Sequence, residues 1–182
     1  MRKIINSTYI SLDGVIERPQ DWPSLATRGS GGDEVQAELV LSCDAMVMGR
    51  RTYEGFAPVW PTLPSNPVSD RINSMSKYVV STTLTDPEWT NTTVISADPI
   101  GEIRRLKEAD GKDIVQYGFG QLSYALLENG LLDELRLWVH PLFVGEAAAE
   151  DLLFRPGPHA LFELLDTQTL DNGIAILRYR IS

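Results

Sequence analysis

Two adjacent arginines follow a short apolar run, which raises the question of what anion they would bind. Residues 45–48 read AMVM and are followed by Gly49, Arg50, Arg51 and Thr52, in a chain whose formal net charge is -9. An apolar run of this length is typical of a strand covered on both faces. Guanidinium groups suit the geometry of phosphate. The arginines are therefore either a simple exit of the strand into solvent or part of an anion site.

Two further strand ends carry residues that could bind a nucleotide. Ser81, Thr82 and Thr83 follow the run KYVV, and the loop at residues 118–121 joins DIVQY to a helical segment. Glycines allow a ligand close to the backbone, and a helix N-terminus presents free N–H groups to an anion. Ligands of open α/β sheets bind beyond the carboxyl ends of the strands. Hydroxyls and glycines are common in ordinary turns, but three such ends together favour dinucleotide binding.

The elements that would position these ends alternate between strand and helix. The pattern predicts six strands, at residues 3–10, 45–48, 77–81, 92–96, 114–117 and 134–139. It also predicts five helices, at residues 33–42, 52–56, 70–75, 100–109 and 121–129. Residues 160–170 and 173–181 are strand-like and are joined by Asp171-Asn172-Gly173, a hairpin signal. We therefore predict one α/β domain over residues 1–182, with a mostly parallel sheet, helices on both faces and an antiparallel C-terminal hairpin.

Composition excludes several classes of protein. The single cysteine, Cys43, excludes an internal disulfide framework, and the two histidines have no metal-ligand spacing, so we expect no metal site. A pI near 4.7 argues against a nucleic-acid partner. No apolar run is long enough to span a membrane, and the N-terminus lacks a signal-peptide pattern. We expect a cytoplasmic protein that acts on a small molecule.

Four segments resemble a known family. MGRRTYEGF resembles the Gly-Arg-x-Thr segment of dihydrofolate reductases. STYISLDGVI, VVSTTLTDPEWTNTTVI and QYGFGQLSYALLENGLLDELRLWVHPLFVG resemble the reductase domain of the bifunctional riboflavin-biosynthesis deaminase-reductase. The similarity runs in the same order over residues 3–181. It implies a dihydrofolate reductase-like three-layer fold, a sheet of about eight strands and NADPH as the cofactor.

The resemblance also implies where the cofactor binds. The Gly-Arg-x-Thr segment of the family meets the pyrophosphate and the 2′-phosphate, a hydroxyl-bearing strand end lies near the adenosine, and a glycine loop lies against the pyrophosphate. The corresponding residues are Gly49, Arg50, Arg51, Thr52, Ser81, Thr82, Thr83, Gly118, Phe119, Gly120, Gln121 and Leu122.

Catalytic and substrate residues are less sharply indicated. Dihydrofolate reductases use a buried acid on the helix before the Met-Gly-Arg segment, and Asp33 lies nearest that place, although it could equally be the helix N-cap. Asp13 is a second catalytic candidate and also a substrate-binding candidate, because it resembles a residue lining the substrate cleft; a turn aspartate is the alternative. Trp22 could stack on a flat heterocycle or cap the core.

These observations predict an NADPH-dependent reductase of a small heterocyclic or ribosylamino-pyrimidine-type substrate. Two alternatives stay open: a nucleotide-binding protein of the same fold without productive reductase activity, and a true dihydrofolate reductase. Because relatives commonly pair through the late strands and LRLWVHPLFV is apolar, we also expect a homodimer.

Overall fold

The computed structural model describes residues 1–23 and 31–182 as an α/β fold with one eight-stranded mixed sheet. The strands are ordered β4-β3-β2-β5-β1-β6-β8-β7. Their bounds are β1 Ile4–Ser11, β2 Cys43–Gly49, β3 Ser76–Val80, β4 Thr92–Ile95, β5 Asp113–Tyr117, β6 Glu134–His140, β7 Phe162–Thr169 and β8 Ala175–Ile181. The helices are α1 Gly32–Ser42, α2 Arg50–Phe56, α3 Pro67–Ser74, α4 Pro99–Glu108 and α5 Gln121–Glu128.

The predicted fold class is confirmed. The predicted ends of the helices and strands lie within about three residues of the observed ends. The hairpin is present, and Gly173 adopts a φ of 84° in its turn, a conformation that favours glycine. One local prediction is wrong. The first helix begins at Gly32, so Asp33 lies inside the first turn and is not the N-cap.

Contacts within the chain group it into two compact units. The first unit comprises residues 1–4 and 36–117, and the second comprises residues 5–35 and 118–182. The prediction of a single domain over residues 1–182 stays a prediction.

The first unit is a parallel sheet built around β2. This strand pairs with β3 on one side and with β5 on the other, and β3 pairs with β4. Met46, Val47 and Met48 are fully buried, as a strand covered on both faces requires.

The second unit combines one parallel and two antiparallel pairings. β1 pairs in parallel with β6, whereas β6 with β8 and β8 with β7 are antiparallel. Helices contact both faces of β1 here: Asn6 reaches Ser123 of α5, and Tyr9 packs with Val35 of α1 in a cluster around Trp138. No helix in residues 1–23 and 31–182 is long and apolar enough to cross a membrane.

Candidate functional site

The ends of β2 and β3 lie side by side in the first unit. Gly49 is in register with Val80, so the segment that starts at Gly49 and the turn that starts at Ser81 leave the same end of two neighbouring parallel strands. Two of the three predicted binding segments are therefore brought together. Gly49 has open space around it, since an added Cβ would meet nothing within 4 Å. A ligand could approach the backbone closely here.

The two arginines after Gly49 have different surroundings. Arg50 and Arg51 form the first turn of α2 and both are exposed. Arg50 Nη1 donates to Glu54 Oε1 at 2.8 Å, one turn further along the helix. Arg51 makes no ion pair with any residue that the structure describes. Of the two arginines, Arg51 is thus the one whose guanidinium group is not paired with a carboxylate of a described residue. Thr52 is half-buried behind them.

The hydroxyl residues after β3 also divide into two kinds. Ser81 is buried, and its Oγ accepts hydrogen bonds from the backbone N–H of Thr83 at 3.1 Å and of Leu84 at 2.9 Å. Ser81 therefore shapes the turn. Thr82 and Thr83 are exposed and can present their hydroxyls to a ligand.

A cavity of about 560 Å³ lies next to these segments in the first unit. Its walls come from α2, the segment after it and the loop at residues 84–89, and include Tyr53, Glu54, Leu84 and Trp89. The Trp89 backbone N–H donates to the Tyr53 hydroxyl at 3.2 Å, and its indole N–H donates to Asn73 Oδ1 at 2.9 Å. The aromatic wall is thereby held in one orientation.

The glycine loop of the second unit is tied down by its first residue. Gly118 adopts a φ of 75° and donates its N–H to the Ser7 carbonyl at 3.2 Å. Its carbonyl accepts from Asn6 Nδ2 at 2.7 Å and from Ser123 Oγ at 3.1 Å. Ser123, in the first turn of α5 directly after this loop, thus serves the geometry of the loop.

The rest of this loop leaves its backbone accessible. An added Cβ at Gly118 or Gly120 would meet nothing within 4 Å, and Gly120, the N-cap of α5, makes no side-chain cap hydrogen bond. Phe119 is buried against Tyr124, Gln121 is exposed and Leu122 is half-buried. Open glycines before an uncapped helix suit an anionic group.

Asp13 joins two loops of the second unit. Its carboxylate accepts from the Ser11 hydroxyl at 2.5 Å and from the backbone N–H groups of Val144 at 3.2 Å and Gly145 at 2.8 Å. The Ser11 hydroxyl, followed by the Gly145 N–H, lowers the pKa of Asp13 to about 2. Asp13 is ionised at neutral pH and holds the turn after β1 to the segment after β6.

Trp22 is buried and belongs to an aromatic group. Its ring lies 5.3 Å from that of His140, which in turn lies 5.0 Å from the ring of Tyr9. Burial lowers the pKa of His140 to about 4, so its imidazole is neutral at pH 7.

A second cavity, of about 330 Å³, has Trp22 in its wall. Val15 and the segment from Leu142 to Val144 supply further apolar surface, and charged groups line the rest: Glu17, Arg18, Asp21 and Glu146. The sequence patterns did not indicate these charged residues or the two N–H groups that bind Asp13. The available signal was Val144-Gly145 in the segment after β6, where Gly145 adopts a φ of 80°.

Asp33 is exposed in the first turn of α1, whereas the resemblance implies a buried acid. Its catalytic role stays a prediction.

A known family model matches most of the chain. The family model described as the RibD C-terminal domain matches residues 2–176. The uncharacterised protein YyaP of Bacillus subtilis (strain 168) is 28% identical over 190 residues, which cover 98% of this chain and 94% of YyaP.

Solved structures share the fold at low identity. A putative riboflavin biosynthesis protein from Shewanella sp. PV-4 has a TM-score of 0.74 at 18% identity, with 99% of each chain covered. A pyrimidine reductase-like protein from Corynebacterium diphtheriae has a TM-score of 0.68 at 15% identity, over 100% of this chain and 92% of that one. Acinetobacter baumannii RibD has a TM-score of 0.69 at 17% identity, and the match covers 100% of this chain but only 58% of RibD.

Proposed function

Because the chain belongs to the RibD C-terminal domain family, we propose that it is an NADPH-dependent reductase. The substrate would be a small heterocycle or a ribosylamino-pyrimidine, which accepts hydride from the cofactor. Reductases of this family use NAD(P)H. The preference for NADPH, the substrate class and the activity itself are parts of the proposal.

The observation that carries the proposal is the exposed Arg51, which makes no ion pair with a described residue and lies two residues after the open backbone of Gly49. A phosphate placed beside Gly49 would meet free guanidinium N–H groups without displacing an existing ion pair, since Glu54 already holds Arg50. Thr82 and Thr83 leave the neighbouring strand at the same end. Fixed positive charge and hydroxyls at adjoining strand ends suit a ribose that carries a 2′-phosphate.

The second unit supplies a further backbone that fits the cofactor. Gly118 and Gly120 have open space, and the start of α5 is uncapped. We assign this loop to the pyrophosphate. Each set of residues is by itself suited to a phosphate group of NADPH, and NADPH, when bound, supplies the hydride.

The source of a proton is constrained by the same geometry. At neutral pH, Asp13 is ionised and its carboxylate is occupied by three donors, so it is poorly suited to donate a proton. Asp33 is exposed and in reach of solvent. We therefore propose that the proton comes from water, directly or through Asp33.

Nucleotide titration tests the role of Arg51. Protein fluorescence should report tighter binding of NADPH than of NADH, and Arg51→Ala should weaken NADPH binding by about 10- to 100-fold, as expected for the loss of charge-assisted hydrogen bonds. NADH binding should change little, since NADH lacks the 2′-phosphate.

Arg104→Ala is the matched control, because it removes an equally exposed arginine from α4. Arg104→Ala should change the dissociation constant of NADPH by no more than a factor of about two, because salt screens the effect of a distant exposed charge on the electrostatic potential. Equal weakening by both substitutions, or no micromolar binding of either nucleotide, would overturn the cofactor assignment. Assays of NADPH oxidation with dihydrofolate and with a ribosylamino-pyrimidinone then distinguish the reductase from a nucleotide binder and from a true dihydrofolate reductase.

A further inference from the structure

Three aromatic side chains of the first unit pack together without being fully buried. The Phe56 ring lies 5.5 Å from that of Tyr117 and 6.0 Å from that of Trp60, at interplanar angles of 53° and 60°. Each of the three keeps part of its surface in solvent, and none of them lines the cavity of about 560 Å³. We call Phe56, Trp60 and Tyr117 the aromatic cluster.

The aromatic cluster lies at the carboxyl edge of the sheet in the first unit. Continued by two residues, the parallel register of β5 on β2 places Tyr117 beside Met48, directly before Gly49. The turn that starts at Ser81 follows β3, on the other side of β2. Ligands of open α/β sheets bind at this edge. The aromatic cluster and the exposed hydroxyls of the turn therefore lie on opposite sides of Gly49.

Helix α2 separates the aromatic cluster from Arg51. Arg51 and Phe56 both belong to this helix and are five residues apart, so their side chains project about 140° apart around its axis. An anion bound by Arg51 and a ring stacked on Phe56 would therefore not compete for the same space. This edge of the sheet can hold a second ligand beside the cofactor phosphate.

The segment that carries Phe56 and Trp60 is uncharged. Residues 56–69 read FAPVWPTLPSNPVS, and the charged residues nearest to them in the chain, Glu54 and Asp70, are both acidic. Four prolines restrict the backbone of this segment, and the Trp60 carbonyl accepts from Asn73 Nδ2 at 3.0 Å. The segment thus presents a fixed apolar surface that offers no counter-ion to an anion.

We propose that the aromatic cluster binds the ring of the substrate, and that this substrate is a flat heterocycle without a phosphate group. The inference rests on the proposed function, because it assigns the second ligand of that reductase. Aromatic side chains stack on flat rings or pack edge-on against them. A phosphate on the substrate would lose hydration beside this segment without gaining a cation from it.

Equilibrium binding to the full chain tests the inference, both without nucleotide and with saturating NADP⁺, which cannot donate hydride. The probes are lumazine, a flat heterocycle without sugar or phosphate, and a ribosylamino-pyrimidinone with and without a 5′-phosphate. One or both unphosphorylated probes should bind at micromolar concentrations. The 5′-phosphate should weaken binding of the ribosylamino-pyrimidinone at least about 10-fold. Binding of neither unphosphorylated probe, or tighter binding of the 5′-phosphate, would overturn the proposal.

Substitution of Trp60 tests the contact itself. Trp60→Ala should raise the dissociation constant of the bound ring about 10-fold or more, because its stacking surface is lost. Trp60→Phe keeps an aromatic face and should stay within about 3-fold of the wild type. Val59→Ala is the matched control, since it shortens a neighbouring apolar side chain that is 49% exposed and should change ring binding little. Equal losses in Trp60→Ala and Val59→Ala would contradict the assignment.

A wild-type measurement covers the case in which Trp60→Ala does not fold. Stacking on an indole quenches the fluorescence of a flat heterocycle, so bound lumazine should be strongly quenched. Lumazine that binds with undiminished fluorescence would count against stacking on the aromatic cluster.

NADPH titration distinguishes failure of this inference from failure of the proposed function. Trp60 is not among the cofactor residues, so Trp60→Ala should change the dissociation constant of NADPH by no more than about two-fold. If NADPH binds but ring binding does not depend on Trp60, this inference fails alone. If a ring binds through Trp60 but NADPH does not bind, the proposed function is overturned and the assignment of the ring as its substrate falls with it.

Discussion

Lys77 and Asp13 perform the same task in the two units, but in opposite environments. Lys77 is fully buried, and its Nζ donates to the carbonyls of Asn73, Met75 and Thr90 at 2.7, 2.9 and 3.1 Å. Asp13 is exposed and accepts from two backbone N–H groups and a hydroxyl. Each charged side chain holds a loop that lines a cavity.

The two sets of contacts differ in the hydration that each charged group loses on folding and in how easily water can replace the contacts. Burial lowers the pKa of Lys77 to about 8, because a buried ammonium loses its hydration, and its amine lies 4.6 Å from the centre of the Trp89 ring. The Asp13 contacts remain in water and are easily replaced by it. We therefore expect Lys77 to govern global stability and Asp13 to govern the local order of its loop.

Replacing Lys77 should have the largest effect. Lys77→Met keeps the approximate length of the side chain but leaves three carbonyls without their donor, and we expect a loss of about 2–4 kcal/mol in the free energy of unfolding. Urea denaturation measures this loss. Lys112→Met, at an exposed lysine, should cost about 0.5 kcal/mol or less. An equally stable Lys77→Met protein would show that the buried ammonium does not hold the loop.

His140 extends the comparison to a buried base in the second unit. Its pKa of about 4 lies below the ordinary 6.5, so the unfolded chain binds the proton more tightly between these values. Stability should therefore fall as the pH drops from 6.5 towards 4, by on the order of 2 kcal/mol at pH 5. Urea denaturation at pH 7 and pH 5 should show this fall in the wild type.

In His140→Phe the part of this acid sensitivity that comes from His140 should be gone. His159→Phe changes an exposed histidine and should keep the wild-type dependence. If both variants follow the wild-type curve, the burial of His140 does not control the acid response.

Asp13→Asn should have the smallest effect on the free energy of unfolding and should change amide hydrogen exchange only locally. The substitution removes the charge that attracts the N–H groups of Val144 and Gly145, so these amides should exchange with solvent several-fold faster. Since the pKa of Asp13 is about 2, below the ordinary 3.8, the wild-type contact should persist at pH 5 and be lost only as the pH falls from about 4 to 2.

Hydrogen exchange followed by mass spectrometry measures this change. Asp21→Asn, at another exposed aspartate of the same unit, is the control and should leave the two amides unchanged. Should Asp13→Asn alter the midpoint of urea denaturation as much as Lys77→Met does, the contrast between the two residues would be wrong.

Local patterns were enough to predict most of the elements. The run AMVM predicted β2, because a strand buried on both faces needs apolar residues at successive positions. Asn172-Gly173 predicted the hairpin, because its turn needs residues that tolerate a positive φ. Side-chain partners were not visible in the same way. Ser81 was predicted as a ligand for the cofactor, which stays a prediction, and the structure adds that its hydroxyl accepts hydrogen bonds from two N–H groups of its own turn. The sequence Ser81-Thr82-Thr83 does not show which of its hydroxyl groups is buried in the turn and which are exposed.

The sequence by itself determined the order and type of the elements, the family and the position of the glycines and arginines at strand ends. These features depend on residues close together in the chain. Only the tertiary structure decided that Glu54 pairs with Arg50 while Arg51 makes no ion pair with a described residue, that Asp13 binds N–H groups 131 and 132 residues away, and that Glu134 and Arg136 of β6 are buried. The physical reason is that burial and partner choice depend on distant segments. A local pattern can show that a charged residue is present, but not what it will contact.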